Sequence, residues 1–319
     1  MAPKIIPNVV LVTGVADQLG GLLAARLAAN PEVDRVLGVD ARTPGELADR
    51  VEHVAVDIRD PRIGKVISSA KVDTVVHAAP RASVGPLRSA IKERNVIGTM
   101  QLLAACQRSS HVRKLVVKST AEVYGASATA PAVFTEQDPL DAGRDREPAE
   151  LEAYVRGFAR RRPDVTATVV RLAELIGPGV DTALARYFRL PVVPTVLGFD
   201  ARVQLLHIQD AVAVFERAVL RDLPGVFNVG GDGVLLLSQA IRRAGRVPLP
   251  MPRAAIPTAA RLVRGAAPVH FSPDFARLLN YGRVIDTTRL KTTFGFTPKW
   301  STADAFDDYV RTSTEEMSQ

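Results

Sequence analysis

The apolar run Val9-Val10-Leu11-Val12-Thr13 leads straight into Gly14, Asp17, Gln18, Leu19 and Gly20, and Asp40 closes a second apolar run twenty positions after Gly20. A buried strand that turns on glycine into a helix presents unpaired backbone N–H groups to a pyrophosphate. A carboxylate at that distance reaches the adenosine ribose hydroxyls. These residues therefore predict a dinucleotide site. NAD is the expected ligand, because Asp40 would repel the 2′-phosphate of NADP.

One position departs from this spacing. Asp17 stands where a middle glycine would let the backbone touch the pyrophosphate. Two like charges ~5 Å apart cost roughly 3 kcal/mol at an effective dielectric of about 20, on the order of a hundredfold in affinity. The alternative is that Asp17 turns back to cap the helix beginning near Leu19, since Asp is a favoured N-cap.

Such residues need elements that deliver them to one edge. Val9 to Thr13, Val36 to Asp40, His53 to Val56, Val72 to His77, Leu115 to Ser119 and Val165 to Arg171 read as strands. Between them, Leu19 to Ala29, Pro61 to Ser68 and Leu87 to Gln107 read as amphipathic helices. This alternation predicts an α/β fold, a doubly wound parallel sheet of Rossmann type, whose ligands bind beyond the carboxyl ends of its strands. After Gly177-Pro178-Gly179 the alternation breaks up. Residues 1–176 are accordingly expected to form the dinucleotide-binding domain, and 177–319 a smaller C-terminal substrate lobe with segments returning to the main sheet. In that second part Arg202 to His207 and Val226 to Val229 read as strands, and Asp210 to Leu220 and Ser238 to Ala244 as helices. Pro248, Pro250, Pro252 and Pro257 mark a linker-like stretch over the surface or along a cleft rim.

A chain of 319 residues with 47% hydrophobic content can bury a substantial core. The net charge of +7 raises the question of nucleic acid, but the excess is arginine scattered along the chain. Arg160-Arg161-Arg162 is the only basic triplet, and it reads as a solvated helix end, with a phosphate-binding patch as the alternative. No nucleic-acid partner is expected. Cys106, the single cysteine, lies in the apolar run Leu102 to Cys106 and belongs to the core. No metal cluster, signal peptide or bilayer-crossing stretch stands out, so the protein is expected to be cytoplasmic, without a membrane partner.

Further motifs follow in order: Asp57-Ile58-Arg59-Asp60, His77-Ala78-Ala79, Asn95-Val96-Ile97-Gly98-Thr99, Ser119-Thr120-Ala121-Glu122-Val123-Tyr124-Gly125, Arg171, His207-Ile208-Gln209-Asp210 and Asn228-Val229-Gly230-Gly231. With Gly14, Gly20 and Asp40 they make the chain resemble the extended short-chain dehydrogenase/reductase family, in particular its NAD-dependent sugar-nucleotide epimerases and dehydratases, over nearly the whole length. The resemblance implies that Asp57 and Ile58 lie against adenine and that Ala78 and Ala79 lie beside the nicotinamide side of the cofactor. It places Asn95, in the central helix motif, among the cofactor residues.

The resemblance also implies a mechanism. A Ser or Thr hydroxyl holds the substrate oxygen while a Tyr, activated by a Lys four residues later, moves the proton; Thr120 is in register for the hydroxyl, with a strand-end threonine hydrogen-bonded to local backbone as the alternative. The Tyr and Lys are missing. Tyr154 is followed four residues on by Phe158, and family register puts the tyrosine slot at Arg144, the lysine slot at Pro148 and the family's helix glutamate at Glu152. Glu174 stands where many members carry an asparagine that holds the nucleotide pyrophosphate, which argues against a UDP-sugar. Glu122 occupies the slot of a dehydratase base, although Ala121 lacks the accompanying acid; a glutamate solvated or paired with an arginine is the alternative. Lys118 could supply a cation or snorkel outward. His77, His207 and Asp210 read as structural, and Trp300 as a packing anchor. Two functions remain open: an NAD-dependent enzyme of the epimerase/dehydratase group acting on a small polar substrate, with proton transfer reassigned to Thr120 and Glu122, or a non-catalytic module that keeps the nucleotide fold. A homodimer through Leu87 to Gln107 and Leu151 to Arg162 is implied by the resemblance.

Overall fold

The computed structural model describes residues 7–45, 49–80, 88–141, 147–252, 255 and 271–317. Leu87, Arg144 and Pro257, named above, lie outside these residues. The chain divides into two compact units, one of residues 1–119, 146–171 and 211–227, the other of residues 120–145, 172–210 and 228–319.

Unit 1 is built on a seven-stranded sheet. Its strands are β1 (Val9–Thr13), β2 (Arg35–Val39), β3 (Val51–Val54), β4 (Thr74–His77), β5 (Lys114–Thr120), β6 (Thr166–Leu172) and β11 (Gly225–Val229), in the order β11-β6-β5-β4-β1-β2-β3. The pairings β3–β2, β2–β1, β1–β4 and β4–β5 are all parallel. Because the chain leaves β3 at one edge and re-enters beside β1 as β4, the strand order reverses between β1 and β4. That reversal is where doubly wound sheets bind ligands. The last four residues of β1 and all four of β4 are buried, as strands covered on both faces must be. Helices α1 (Gln18–Ala28), α2 (Arg62–Ser69), α3 (Arg88–Arg108), α4 (Glu147–Arg161) and α6 (Ile208–Leu220) complete the unit. Leu11, Val75, Leu115, Ile63, Leu102, Cys106 and Phe158 lie in one core cluster.

The basic triplet separates into different roles. Arg160 and Arg161 are exposed, but the Arg162 guanidinium is only 12% exposed. It donates to the carbonyls of Cys106 and Gln107 in the last turn of α3 and of Ser109 and Val112 just after it, and pairs with Asp164. A solvated helix end is therefore the wrong picture for Arg162: two carbonyls that the end of α3 leaves open, and two of the segment after it, are closed by one planar fork.

Unit 2 has its own core around Tyr187, Phe188, Phe275 and Phe306. It holds β7 (Glu174–Ile176), α5 (Ala183–Arg189), β8 (Val192–Val196), β9 (Arg202–Val203), β10 (Leu205–His207), β12 (Leu235–Leu236), α7 (Leu237–Arg243), β13 (Val247–Met251), α8 (Pro273–Tyr281), α9 (Thr288–Thr292) and α10 (Thr302–Met317). The single strand expected over Arg202 to His207 is two strands, because β9 pairs with β12 and β10 with β7. Gln204 sits at the break, its buried amide donating to the Gly231 carbonyl and accepting from the Ile285 N–H. The linker expected around Pro248 and Pro250 is instead strand β13, parallel to β8. Its first four residues are exposed, and an exposed edge tolerates prolines that a central strand could not.

Candidate functional site

At the carboxyl end of β1 the chain turns on Gly14 with φ +79°. A Cβ there would stand 2.6 Å from the Ala79 Cα, and one at Gly20 would stand 2.2 Å from the Gly14 carbonyl oxygen. No side chain tolerates contacts that short, so only glycine lets α1 close onto the turn. Asp17 takes N-cap backbone angles, φ −96° and ψ 150°, but its carboxylate makes no capping hydrogen bond. It accepts instead from Arg42 Nη2 at 2.9 Å. The Asp40 carboxylate receives the Ala16 N–H at 3.2 Å and the Arg42 N–H at 2.9 Å, which ties the β2 end to the glycine turn.

A crevice opens here, lined by Gly14, Asp17, Asp40, Asp57, Ile58 and Ala79, with Arg94 beside them. Six of the sequence-expected cofactor residues thus meet in one place. Gln18, Leu19 and Gly20 form the first turn of α1; Ala78 is buried behind Ala79. Asn95 is 3% exposed and donates to Glu147 Oε1, anchoring the start of α4. Arg94 escaped sequence reasoning, although it is the cation next to the Asn95 motif. Arg59 forks onto Asp57 at 3.1 and 2.8 Å and holds its carboxyl below the ordinary value. The cradle that a Cβ would fill, and the Asp40 carboxylate lining the crevice, suit an adenine dinucleotide; Asp17 is the one residue of the turn whose charge opposes it.

His77, at the end of β4, is enclosed between Thr13 Oγ1 (3.0 Å from Nδ1) and Thr99 Oγ1 (2.8 Å from Nε2). Burial, reinforced by the charge of Lys118, pushes its pKa down to about 3, so it is neutral. Thr13 Oγ1 also accepts the Ala79 N–H, so the histidine braces the loop that lines the crevice.

The body of β5 is locked by a buried ion pair. Arg171 donates to both oxygens of Glu152 at 2.9 and 2.6 Å, and Ser119 Oγ donates to the same carboxylate at 2.6 Å. Both charged side chains are 5% exposed or less. On α4, the Tyr154 hydroxyl donates to Glu150, and Phe158 is fully buried. No cation stands at the fourth position after this tyrosine.

In unit 2, Thr120 caps a 3-10 turn over Ala121–Tyr124, its Oγ1 accepting the Glu122 N–H at 3.0 Å. The hydroxyl proton is still available to a ligand oxygen. Tyr124 donates to Asn228 Oδ1 and stacks on Phe134. The buried Arg283 guanidinium gives Nε to the Gly125 carbonyl and faces Glu174 at 3.4 Å and Asp274 at 3.2 Å. The charge of Glu122 also acts on it. Desolvation raises the Glu174 pKa; Arg283 opposes that shift and Asp274 adds to it. Nothing in the sequence spacing indicated Arg283. Further along, Asp210 accepts the Lys299 and Trp300 N–H groups, and the Trp300 ring stacks on His207 at 4.3 Å. Among the described residues, no group of three or more His, Cys, Asp and Glu side chains is arranged to hold a metal ion.

Comparison with known proteins agrees with this arrangement. The profile of the NAD dependent epimerase/dehydratase family matches residues 10–230. An uncharacterized protein of Mycobacterium tuberculosis is 49% identical over 316 residues, covering 96% of this chain and 84% of that protein. Among solved structures, a UDP-glucose 4-epimerase of Thermotoga maritima with UDP-glucose has a TM-score of 0.75 at 20% identity, covering 97% of this chain and 99% of the other. A dTDP-glucose 4,6-dehydratase of Bacillus anthracis in complex with NAD has a TM-score of 0.75 at 19% identity, covering 98% of each.

Proposed function

This chain belongs to the NAD dependent epimerase/dehydratase family, and on that premise we propose that unit 1 binds NAD and that the protein carries epimerase/dehydratase-type chemistry with a reassigned proton-transfer site. The observation that carries the cofactor reading is the crevice in which Gly14, Asp40, Asp57, Ile58 and Ala79 converge beyond the strand ends. Gly14, Gln18, Leu19 and Gly20 would shape the pyrophosphate cradle, Asp40 would take the ribose hydroxyls, and Asp57 with Ile58 would meet adenine. Ala78 and Ala79 would lie toward nicotinamide, and Asn95 would act through the α4 anchor. When bound, the cofactor supplies a hydride acceptor and donor.

The residues of the chain then have limited work. Thr120 donates its hydroxyl proton to a substrate oxygen, and Glu122 accepts a proton from an adjacent carbon or hydroxyl. Glu152 and Arg171 hold the strand that presents Thr120. With Glu174 and Asp274 facing Arg283, the substrate is better read as a small polar molecule than as a nucleoside diphosphate, since carboxylates oppose a diphosphate. A second reading, a non-catalytic nucleotide-binding module, is favoured by the loss of the Tyr–Lys pair: Arg144 and Pro148 stand in its slots, and Phe158 follows four residues after Tyr154. The missing general acid–base pair is typically worth 10² to 10⁴ in rate, so slow turnover is still compatible with the first reading.

Calorimetry with NAD, followed by a panel of sugar nucleotides and simpler polyols scored by cofactor absorbance and product formation, separates the two. The enzyme reading expects turnover that Thr120→Val reduces at least ~tenfold. NAD binding with no turnover in either protein would favour the module, and no NAD binding would defeat both. On α3, Ile97 and Met100 are 44% and 48% exposed, and we place a second copy of the chain over them. Cytoplasmic residence fits the single buried thiol of Cys106; among the described residues no helix is long and apolar enough to cross a membrane.

A further inference from the structure

Three charged groups at the crevice mouth are wired together in a way that their sequence positions do not announce. Asp40 Oδ1 accepts the Arg42 N–H at 2.9 Å, which fixes the Arg42 backbone beside the ribose-end carboxylate. The Arg42 guanidinium then crosses to Asp17, with Nη2 at 2.9 Å from Oδ1, passing Nε within 3.5 Å of Asp40 Oδ1. Asp17 itself occupies the N-cap position of α1, at the helix end that favours negative charge. Both partners of the pair are partly exposed, Arg42 at 43% and Asp17 at 30%, so the guanidinium can exchange partners without crossing packed side chains.

A guanidinium beside the ribose-end carboxylate is a competent partner for a 2′-phosphate, which it grips with two parallel donors. In this chain that capacity is already committed. If Arg42 turned to a 2′-phosphate it would take its charge away from Asp17 in the pyrophosphate turn, and the two costs would fall on the same ligand. While it stays on Asp17, it screens the carboxylate that otherwise opposes the pyrophosphate, and its guanidinium tip is turned away from the ribose end.

From this geometry we propose that Asp17 selects between the two nicotinamide dinucleotides by holding Arg42, so that the residue replacing the middle glycine is a determinant of NAD over NADP. The inference rests on the reading that unit 1 binds a dinucleotide. It assigns a role to Arg42 that neither the glycine spacing nor Asp40 alone contains.

The test is calorimetric titration of the full chain, as wild type, Asp17→Asn, Arg42→Gln and the double variant, with NAD and with NADP at fixed ionic strength. Circular dichroism checks that each variant is folded. Releasing Arg42 in Asp17→Asn should raise the NADP/NAD affinity ratio ~tenfold or more. Arg42→Gln should weaken NAD ~tenfold when Asp17 is present and leave NAD affinity unchanged in the Asp17→Asn background, a non-additivity expected of groups acting as one unit. An unchanged NADP/NAD ratio in Asp17→Asn, or an equal loss from Arg42→Gln in both backgrounds, would overturn the inference while NAD binding by the wild type leaves the cofactor reading standing. Failure of every folded variant to bind either dinucleotide would overturn both.

Discussion

At the scale of single residues, His77 couples the stability of the fold to pH. Its imidazole sits between two threonine hydroxyls with its pKa lowered by burial from the ordinary 6.5 to about 3. The unfolded chain therefore takes up this proton first as pH falls, so the contribution is intact above about pH 6.5 and is lost progressively toward pH 3. The slope should approach ~1.4 kcal/mol per pH unit in that window. Urea denaturation at several pH values between about 7 and about 4 measures it; His77→Gln should flatten the profile, and a variant as acid-sensitive as wild type would assign the slope to other groups. Ser119, Glu152 and Arg171 show the limit of residue-level reading in the other direction. The register that places Glu152 on α4 was legible, but that it would share one carboxylate between a serine and an arginine was not, because the three residues come from three separate elements.

At the scale of elements, short-range chemistry explains where the chain turns. Gly14 and Gly20 are required by contacts of 2.6 and 2.2 Å that any Cβ would create, and both were readable from spacing alone. Helix ends were less readable. Arg162 closes four carbonyls in and just past the last turn of α3, and the fully buried Lys114 donates to the Val219 and Arg221 carbonyls at the end of α6. In sequence both look like ordinary surface cations. Arg162→Ala should destabilise the protein by about 2 kcal/mol, since several charged hydrogen bonds are lost and buried carbonyls are left open, whereas Arg161→Ala, an exposed neighbour, should change it by under ~0.5 kcal/mol. Equal effects in thermal or urea unfolding would contradict the capping role. β13 is the opposite failure: proline spacing suggests a linker, but pairing with β8 makes a strand at an edge where missing N–H groups cost little.

For the whole molecule, the prediction concerns assembly. Ile97 and Met100 lie one helical turn apart on α3 and are both exposed, apolar surface that the proposed second copy of the chain would cover. Light scattering should give twice the chain mass, and Ile97→Glu should shift it to the monomer without loss of helical signal; a monomeric wild type would remove the proposal. The alternation of strands and helices determined the doubly wound α/β class, and the glycine turn with Asp40 and the later motifs located the crevice, because periodicity and turn chemistry act over a few residues. Only the tertiary structure decided how the charges are spent. Arg42 lies on Asp17, Arg171 on Glu152, and Arg283 among Glu174, Asp274 and the Gly125 carbonyl. These partners meet where distant segments cross, and a charged side chain follows whichever opposite charge the packing leaves within reach, a choice that spacing along the chain does not encode.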